Sequence, residues 1–311
     1  VKVLTGPPAA WVLEGKPRAV TIGVYDGLHR GHRHVISILR GAAAAHGGLE
    51  CAVVTFDPHP LAVVAPDRAP RLLTSVEHRL ELLAEAGLDL AAVLPFDEAM
   101  RQHTSAHFAA TVLSAALRAR LVVVGEDFRF GHQRTGNVAS LAELGDAHGF
   151  TLQVVPLVGG QAPVSSTRVR ALVAAGDLAG AAEALGRPHE VRGAVVAGDG
   201  RGRGLGFPTA NVAVPAGLAR PPAGVYAVRV GRRGEPLLPG VANLGTRPTF
   251  AGGDGETLEV HLLDHPGDLY GEALRVAFVA RLRDERRFDG PEDLVRQIRA
   301  DVAAARAVLG A

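Results

Sequence analysis

Two histidines three residues apart are the first place where this chain could do chemistry. They lie in Gly27-Leu28-His29-Arg30-Gly31-His32, between an apolar run and the start of a helical pattern. At a helix N-terminus both rings can donate N–H to an anion, helped by the free amides and the positive end of the helix dipole. Gly31 lets the backbone come close, and a nucleoside triphosphate is the natural guest. A pair of surface histidines, or a metal site shared with His34, fits the same residues, since short motifs also match by chance. Further on, Thr55-Phe56-Asp57-Pro58-His59-Pro60 holds Asp57 and His59 in a turn stiffened by two prolines, or is a plain strand-to-helix turn. Val124-Gly125-Glu126-Asp127-Phe128-Arg129-Phe130-Gly131 brings Asp127 and two rings that can stack on a flat ligand or fill the core. Ser165-Ser166-Thr167-Arg168-Val169-Arg170 sets hydroxyls before arginine at a helix start, which makes a phosphate cradle or an ordinary N-cap.

The second half has its own candidates. Gly200-Arg201-Gly202-Arg203-Gly204-Leu205-Gly206-Phe207-Pro208-Thr209-Ala210-Asn211 is spaced Gly-x-Gly-x-Gly, which is not the dinucleotide fingerprint, and no clear helix follows it. Such a loop can cover a phosphate chain with backbone amides, or be a flexible hairpin. Thr209 and Asn211 are hard oxygen donors suited to Mg²⁺ shared with a nucleotide. Glu259 and His261 are two apart on a predicted strand and share a face, with Leu258 and Val260 on the other. A glutamate at a barrel mouth can be a general base, or simply the polar face of an antiparallel strand.

Positioning these residues takes two kinds of framework. In the first half the apolar runs Ala19–Val24, Cys51–Phe56, Ala91–Leu94, Leu121–Val124 and Thr151–Val155 read as strands buried on both faces. Between them His32–His46, Ser75–Ala86, Ser105–Ala119 and Val138–His148 show helical spacing. That alternation predicts a doubly wound parallel α/β sheet, whose ligands bind beyond the carboxyl ends of the strands. The motifs of the first half all fall there. Ala171–Leu185 reads as one or two short helices that end at Gly186-Arg187-Pro188, so the expected domains are residues 1–186 and 187–311. The second half, with strand-like runs at Val191–Val196, Val225–Val230, Pro239–Leu244, Thr257–Leu263 and Leu274–Ala280, predicts a small antiparallel β-barrel. A last helix, Pro291–Leu309, carries Leu294, Ile298 and Val302 on one face.

Composition narrows the classes. Of 311 residues, 47% are hydrophobic and 21% charged, which is globular and not disordered. The only Gly-Lys pair, Gly15-Lys16, is followed by proline, so there is no P-loop. The single cysteine, Cys51, excludes an internal disulfide and a cysteine-clustered metal site. Net charge is +1, with neither half strongly basic, so nucleic acid is not the expected partner. No run reaches the ~20 apolar residues of a membrane span, and Val1 to Val12 does not look like a signal peptide. A cytoplasmic protein without a membrane partner is expected.

Taken in order, the motifs resemble the prokaryotic bifunctional riboflavin kinase and FAD synthetase family over nearly the whole chain. The likeness rests on Thr21–His32, Phe56–Pro60, Gly125–Gly131 and Ser165–Arg170, then on Gly206–Asn211, Pro239–Phe250, Leu258–His261, Leu269–Glu272 and Leu282–Gly290. It implies a nucleotidyltransferase α/β domain followed by a six-stranded kinase barrel with a terminal helix. The barrel would phosphorylate riboflavin to FMN with ATP and Mg²⁺, and the α/β domain would join FMN to AMP from ATP, giving FAD and pyrophosphate. By the same resemblance His29 and His32 would stabilise charge on the triphosphate, and Gly23, Asp26, Gly31, Ser166, Thr167 and Arg168 would bind it. Asp57, His59, Asp127 and Phe128 would line the flavin. In the kinase Gly204, Thr209 and Asn211 would hold Mg-ATP, and Glu259 would take the proton from the ribityl hydroxyl, with Asp268 or Glu272 next in line for that role. The chain departs from the common pattern at Val24, Tyr25 and Asp127.

Overall fold

The computed structural model describes residues 1–13, 17–158, 163–198, 201–232, 235–246, 256–264 and 269–311. The chain divides into two compact units, one of Val1–Pro70 with Thr74–Ser166 and one of Arg71–Leu73 with Thr167–Ala311.

The first unit is built on a six-stranded parallel sheet of β1 (Lys2–Thr5), β2 (Arg18–Ile22), β3 (Glu50–Asp57), β4 (Leu90–Pro95), β5 (Ala119–Gly125) and β6 (Thr151–Val155). Its helices are α1 (Arg30–Ala45), α2 (Pro60–Val64), α3 (Val76–Glu85), α4 (Glu98–Arg101), α5 (Ser105–Phe108, continuing as a π-helix over Ala109–Ala116) and α6 (Val138–His148). Alternate residues of a strand go to opposite faces. Ala19, Val53, Ala91 and Val123 therefore pack with Ile36 and Leu39 of α1 and Leu82 and Leu83 of α3. Their neighbours Val20, Val54, Ala92 and Val122 pack with Phe108 and Leu113 of the α5 segment and Leu141 of α6. Both faces are covered, which is why the central strands are mostly apolar along their length.

The strand order is β1-β4-β3-β2-β5-β6. From β2 the chain moves outward through β3 to β4, then returns to the other side of β2 for β5 and β6. The crevice beyond β2 and β5 is thus the topological switch point, where α/β sheets bind ligands. Two expectations change at the edges. Of Thr151–Val155 only Val155 is buried, so β6 is an edge strand and not a strand buried on both faces. The other edge, β1, is too short to show a period, and it pairs with β4 from Lys2 to Thr5.

In the second unit α7 (Ser166–Ala175, its first residue in unit one) and α8 (Leu178–Leu185) precede the barrel. Gly186, at φ 75°, ends α8 in the left-handed conformation that glycine favours. The barrel strands are β7 (His189–Val196), β8 (Ala210–Ala213), β9 (Gly224–Gly231), β10 (Leu238–Thr246), β11 (Glu256–Leu262) and β12 (Ala273–Arg283), with one helical turn, α9 (Arg201–Gly204), and the terminal α10 (Pro291–Leu309). They close antiparallel in the order β10-β11-β8-β7-β12-β9. The four-residue β8 is the strand that periodicity did not mark, and α9 is a helical turn in a segment with no clear helical pattern. Val212, Tyr226, Val228, Ala242, Leu258, Val260, Val276 and Phe278 fill the interior. Outside it, Val302, Ala305 and Leu309 of α10 pack on Val225, Ala227 and Val241. Leu178 of α8 joins the barrel core.

Candidate active sites

Between β2 and α1 the chain makes a turn in which Tyr25, Gly27 and Leu28 all have positive φ, at 54°, 79° and 39°. Tyrosine and leucine seldom adopt such values, and the surroundings must hold them there. The Asp26 carboxylate, 1% exposed, accepts the Thr74 N–H at 3.0 Å and the Thr74 hydroxyl at 3.1 Å. That hydroxyl in turn accepts the Gly27 N–H at 3.1 Å. The Asp26 carbonyl takes the Ser166 hydroxyl at 2.8 Å, and the Leu28 side chain is fully buried. Asp26 thus fastens the turn from inside.

His29 caps α1, its Nδ1 accepting the His32 N–H at 3.3 Å. The two rings stack, centroids 3.6 Å apart and planes 18° apart, and the Tyr25 ring lies 4.7 Å from His32. A Cβ on Gly31 would stand 3.2 Å from the His29 ring and 3.4 Å from the Val164 carbonyl, so glycine makes room for the cap. A Cβ on Gly23 would press on the Tyr25 ring at 3.1 Å. Burial holds the His32 imidazole well below its ordinary pKa, and His29 and Arg79 push the same way. Burial pushes the Tyr25 phenol up, against its 2.5 Å hydrogen bond with Thr21, so it stays protonated. His34 is exposed, and the described residues form no metal-ligand cluster with it.

The motifs that follow β3 and β5 lie at the same end of the sheet, and Ser166 reaches it through the Asp26 carbonyl. His59 caps α2, its Nδ1 accepting the Leu61 N–H at 3.1 Å, while Asp57 is exposed and its carbonyl accepts the Phe96 N–H. Phe130 belongs to the core, with Phe128 half-buried and stacked on it at 5.3 Å. Asp127 is exposed. Ser166, Thr167 and Arg168 make the first turn of α7, with Thr167 and Arg168 exposed. Two residues that no motif announced tie this end together. Thr74 is one. Arg79 of α3 is the other: fully buried, its Nη1 donates to the Val24 carbonyl, the Thr55 hydroxyl and the Phe56 carbonyl at 3.0, 3.0 and 3.1 Å.

In the barrel, Glu259 of β11 stands opposite Asn211 of β8 and Asn243 of β10. Because Leu258 and Val260 point into the core, this polar row runs along the outer wall, and Glu259 is not at the barrel mouth. A cavity of about 270 Å³ lies over the row and is also lined by Thr209, Phe207, Glu285 and, from α10, Leu294 and Ile298. The glycine-rich segment closes in by lacking side chains. A Cβ on Gly198 would collide with the Asn211 amide, and one on Gly202 with the Phe207 carbonyl, 3.1 Å from Thr209 Oγ1. Gly204 is exposed, with open space around its Cα. His261 hydrogen-bonds the Pro208 carbonyl at 2.8 Å and meets Phe207 edge-on, which steadies the approach to Thr209.

Asp301 of α10, 5% exposed, accepts Arg283 through both carboxylate oxygens at 2.8–3.1 Å and Gln297 at 2.7 Å. Glu272 is not a fallback base: it is paired with Arg232 at 2.7 and 2.8 Å and does not line this cavity. Asp268 lies outside the described residues. With Asp301 tied to Arg283, Glu285 is the second carboxylate facing the cavity. Asn243 and Glu285 carry no sequence signal alone, and only register and folding bring them to Glu259.

A parallel α/β unit with a histidine pair at its switch point, followed by a barrel with a row of oxygen donors, defines a two-site transferase of the nucleotide-handling class. The family model described as FAD synthetase matches residues 13–168, and the one described as riboflavin kinase matches residues 185–309. The chain is 41% identical over 292 residues to the bifunctional riboflavin kinase/FMN adenylyltransferase of Escherichia coli K12, covering 94% of this chain and 92% of that one. To the enzyme of the same description from Pseudomonas fluorescens it is 42% identical over 291 residues, covering 93% and 92%. The chain belongs to the bifunctional riboflavin kinase/FMN adenylyltransferase family, with the adenylyltransferase part first, the kinase part second and ATP as co-substrate. Among solved structures, a protein from Streptococcus pneumoniae described as a macrolide-efflux protein matches with a TM-score of 0.87 and 29% identity, over 98% of this chain and 99% of that one. Among the described residues here, no helix is long and apolar enough to cross a membrane.

Proposed function

We propose that this chain converts riboflavin to FAD in two steps, with separate sites in its two units. In the barrel, Glu259 takes the proton of the ribityl 5′-hydroxyl as its oxygen attacks the γ-phosphorus of ATP, and the bond to ADP breaks. In the same cavity, the apolar Phe207, Leu294 and Ile298 suit a flat ring system, while the Asn243–Glu259–Asn211 row suits a polyol and phosphate tail. Mg²⁺ fits as a companion of the nucleotide. Thr209 and Asn211 offer two uncharged oxygens where Gly198 and Gly202 leave space, and phosphate oxygens and water complete such a shell. An ion held there would neutralise charge on the phosphates, and Gly204, with open space around its Cα, leaves the loop uncrowded.

In the α/β unit the FMN phosphate attacks the α-phosphorus of a second ATP and pyrophosphate leaves. His29 and His32 donate hydrogen bonds to the phosphates, Asp26 and Gly31 hold the turn that aims them, and Gly23 starts it. Ser166, Thr167 and Arg168 present hydroxyls, a charge and a helix N-terminus to the same phosphates. Asp57, His59, Asp127 and Phe128 are the flavin-side residues, with Phe128 offering a ring face. We divide the work at residues 1–186 and 187–311. The family matches, which end at 168 and resume at 185, support a boundary in that stretch, and Leu178 in the barrel core means that a kinase fragment should retain α8. ATP and flavin are supplied in the cytoplasm, where we place the enzyme.

The observation that carries this reading is the row of Asn211, Glu259 and Asn243 beneath a cavity edged by Thr209. Riboflavin incubated with Mg-ATP and resolved by chromatography tests it. FMN followed by FAD is the expected result. FMN alone would restrict the reading to the barrel, and unchanged riboflavin would overturn it.

A further inference from the structure

Arg79 is fully buried, and beyond the three contacts of Nη1 its Nε and Nη2 have no hydrogen-bond partner among the described residues. An incompletely paired cation in a native interior is costly and calls for a reason. The three atoms that Nη1 does hold lie where β2 and β3 end, at the base of the two loops that carry His29, His32, Asp57 and His59. Asp26, Asp57 and Glu77 favour its charge, and that charge in turn disfavours a cation on His32.

The His32 ring is a poor holder of charge. His32 is packed against His29 and Tyr25, and burial first, then His29, then Arg79 disfavour its cation. Its Nδ1 is buried with no partner among the described residues. A bare lone pair is easier to bury than a bare N–H, which puts the proton on Nε2. His29 accepts a hydrogen bond at its own Nδ1, which places its proton on Nε2 as well.

We propose that Arg79 is a positioning residue for adenylyl transfer: it locks the ends of β2 and β3 into one frame and adds a fixed, buried positive charge to that site, while His32 acts as a neutral hydrogen-bond donor. The inference rests on the adenylyl-transfer reading given above. Arginine suits the role because it keeps its proton wherever it is placed. A buried charge set in advance also needs no rearrangement when negative charge builds on the phosphates.

Two variants of the full-length protein test it. Arg79→Gln removes the charge and keeps polar reach, whereas Arg79→Lys keeps the charge. Nitrogen-15 NMR of the histidines reads the protonation and tautomer of His32, and FAD formation from supplied FMN is followed from about pH 5 to 9. In the parent, His32 stays neutral with its proton on Nε2 well below pH 6.5. In the glutamine variant its midpoint rises by about half a unit to one unit. FAD formation then falls roughly tenfold or more, its acid limb moving up with the midpoint. The lysine variant restores both toward the parent, and FMN production is unchanged in either. A parental His32 that titrates at the ordinary histidine value overturns the proposal, even if Arg79→Gln does not fold. So does a glutamine variant with parental titration and parental FAD rate. If His29→Ala and His32→Ala also leave FAD formation intact, the adenylyl-transfer reading has failed. If they abolish it while Arg79→Gln does not, only this inference has failed.

Discussion

Replacing Thr74 by valine tests whether the histidine turn is held by the contacts described. The change keeps the shape of a side chain that is 2% exposed and removes one hydroxyl, which donates to Asp26 and accepts from Gly27. Losing the hydrogen bond to the buried carboxylate costs about 1.5–3 kcal/mol, and taking the hydroxyl acceptor from the Gly27 N–H costs about 1–3 kcal/mol. Together that is about 2.5–6 kcal/mol if the turn stays in place, and less if it relaxes. Relaxation is the catalytically expensive outcome, because Tyr25 and Leu28 hold their unusual φ values only under restraint, and His29 follows directly. A displacement of about 1 Å in a positioned group is worth roughly 100-fold in rate. Thr74→Val should therefore either lower the first thermal transition by about 5 °C or more, or cut FAD formation by roughly 100-fold. FMN formation should be untouched. Calorimetry combined with separate assays of FMN and FAD formation gives the answer. Parental melting together with a FAD rate within twofold of the parent would refute the reasoning, since the clamp would then hold nothing.

Further outcomes follow from other contacts. His29→Ala should lower FAD formation by about 10²–10³-fold while riboflavin is still phosphorylated, the usual effect of losing a preorganised donor; equal loss of both activities would count against it. Glu259→Gln should lower the kcat of FMN formation by roughly 10²–10⁴-fold with supplied FMN still converted to FAD, and near-parental kinase turnover would direct attention to Glu285. Gly198→Ala should swing the Asn211 amide out of place and raise the kinase KM for Mg-ATP by roughly tenfold, in a barrel whose melting is unchanged. Because the His32 pKa is depressed by burial, the unfolded chain takes up a proton that the folded one refuses as pH falls below about 6.5. The stability of the first unit should therefore fall in that range, with a shallower slope in His32→Gln, as melting temperature against pH would show.

The parallel sheet was legible because β2, β3, β4 and β5 are buried on both faces and so spell themselves out in valine and alanine. The edges were not. Thr151–Val155 has the composition of a strand but only one buried residue, and Lys2–Thr5 is too short for a period to show. Motifs at strand ends pointed to His29, His32 and Ser166, since glycine, histidine and hydroxyl clusters stand out locally. Thr74 and Arg79 stayed hidden because their partners are 47 or more and 23 or more residues away. Nothing near them in the chain distinguishes a clamp from an ordinary helix start. In the barrel, alternation set Glu259 on the face opposite the inward Leu258 and Val260, but that it stands on the outer wall and not at the mouth came only with closure. Asn243 acquires meaning only through its register with Glu259.

That register has a consequence for quality control in the folding barrel. Along β11, core and chemistry alternate residue by residue, so a slip of one position would turn Glu259 inward and send Leu258 and Val260 to solvent. A misaligned barrel would bury an unpaired carboxylate and expose two enclosed apolar side chains together, which favours aggregation. Misassembly and loss of activity are thus the same event. Soluble preparations should show kinase activity in strict proportion to folded barrel, without a population of well-folded but silent molecules.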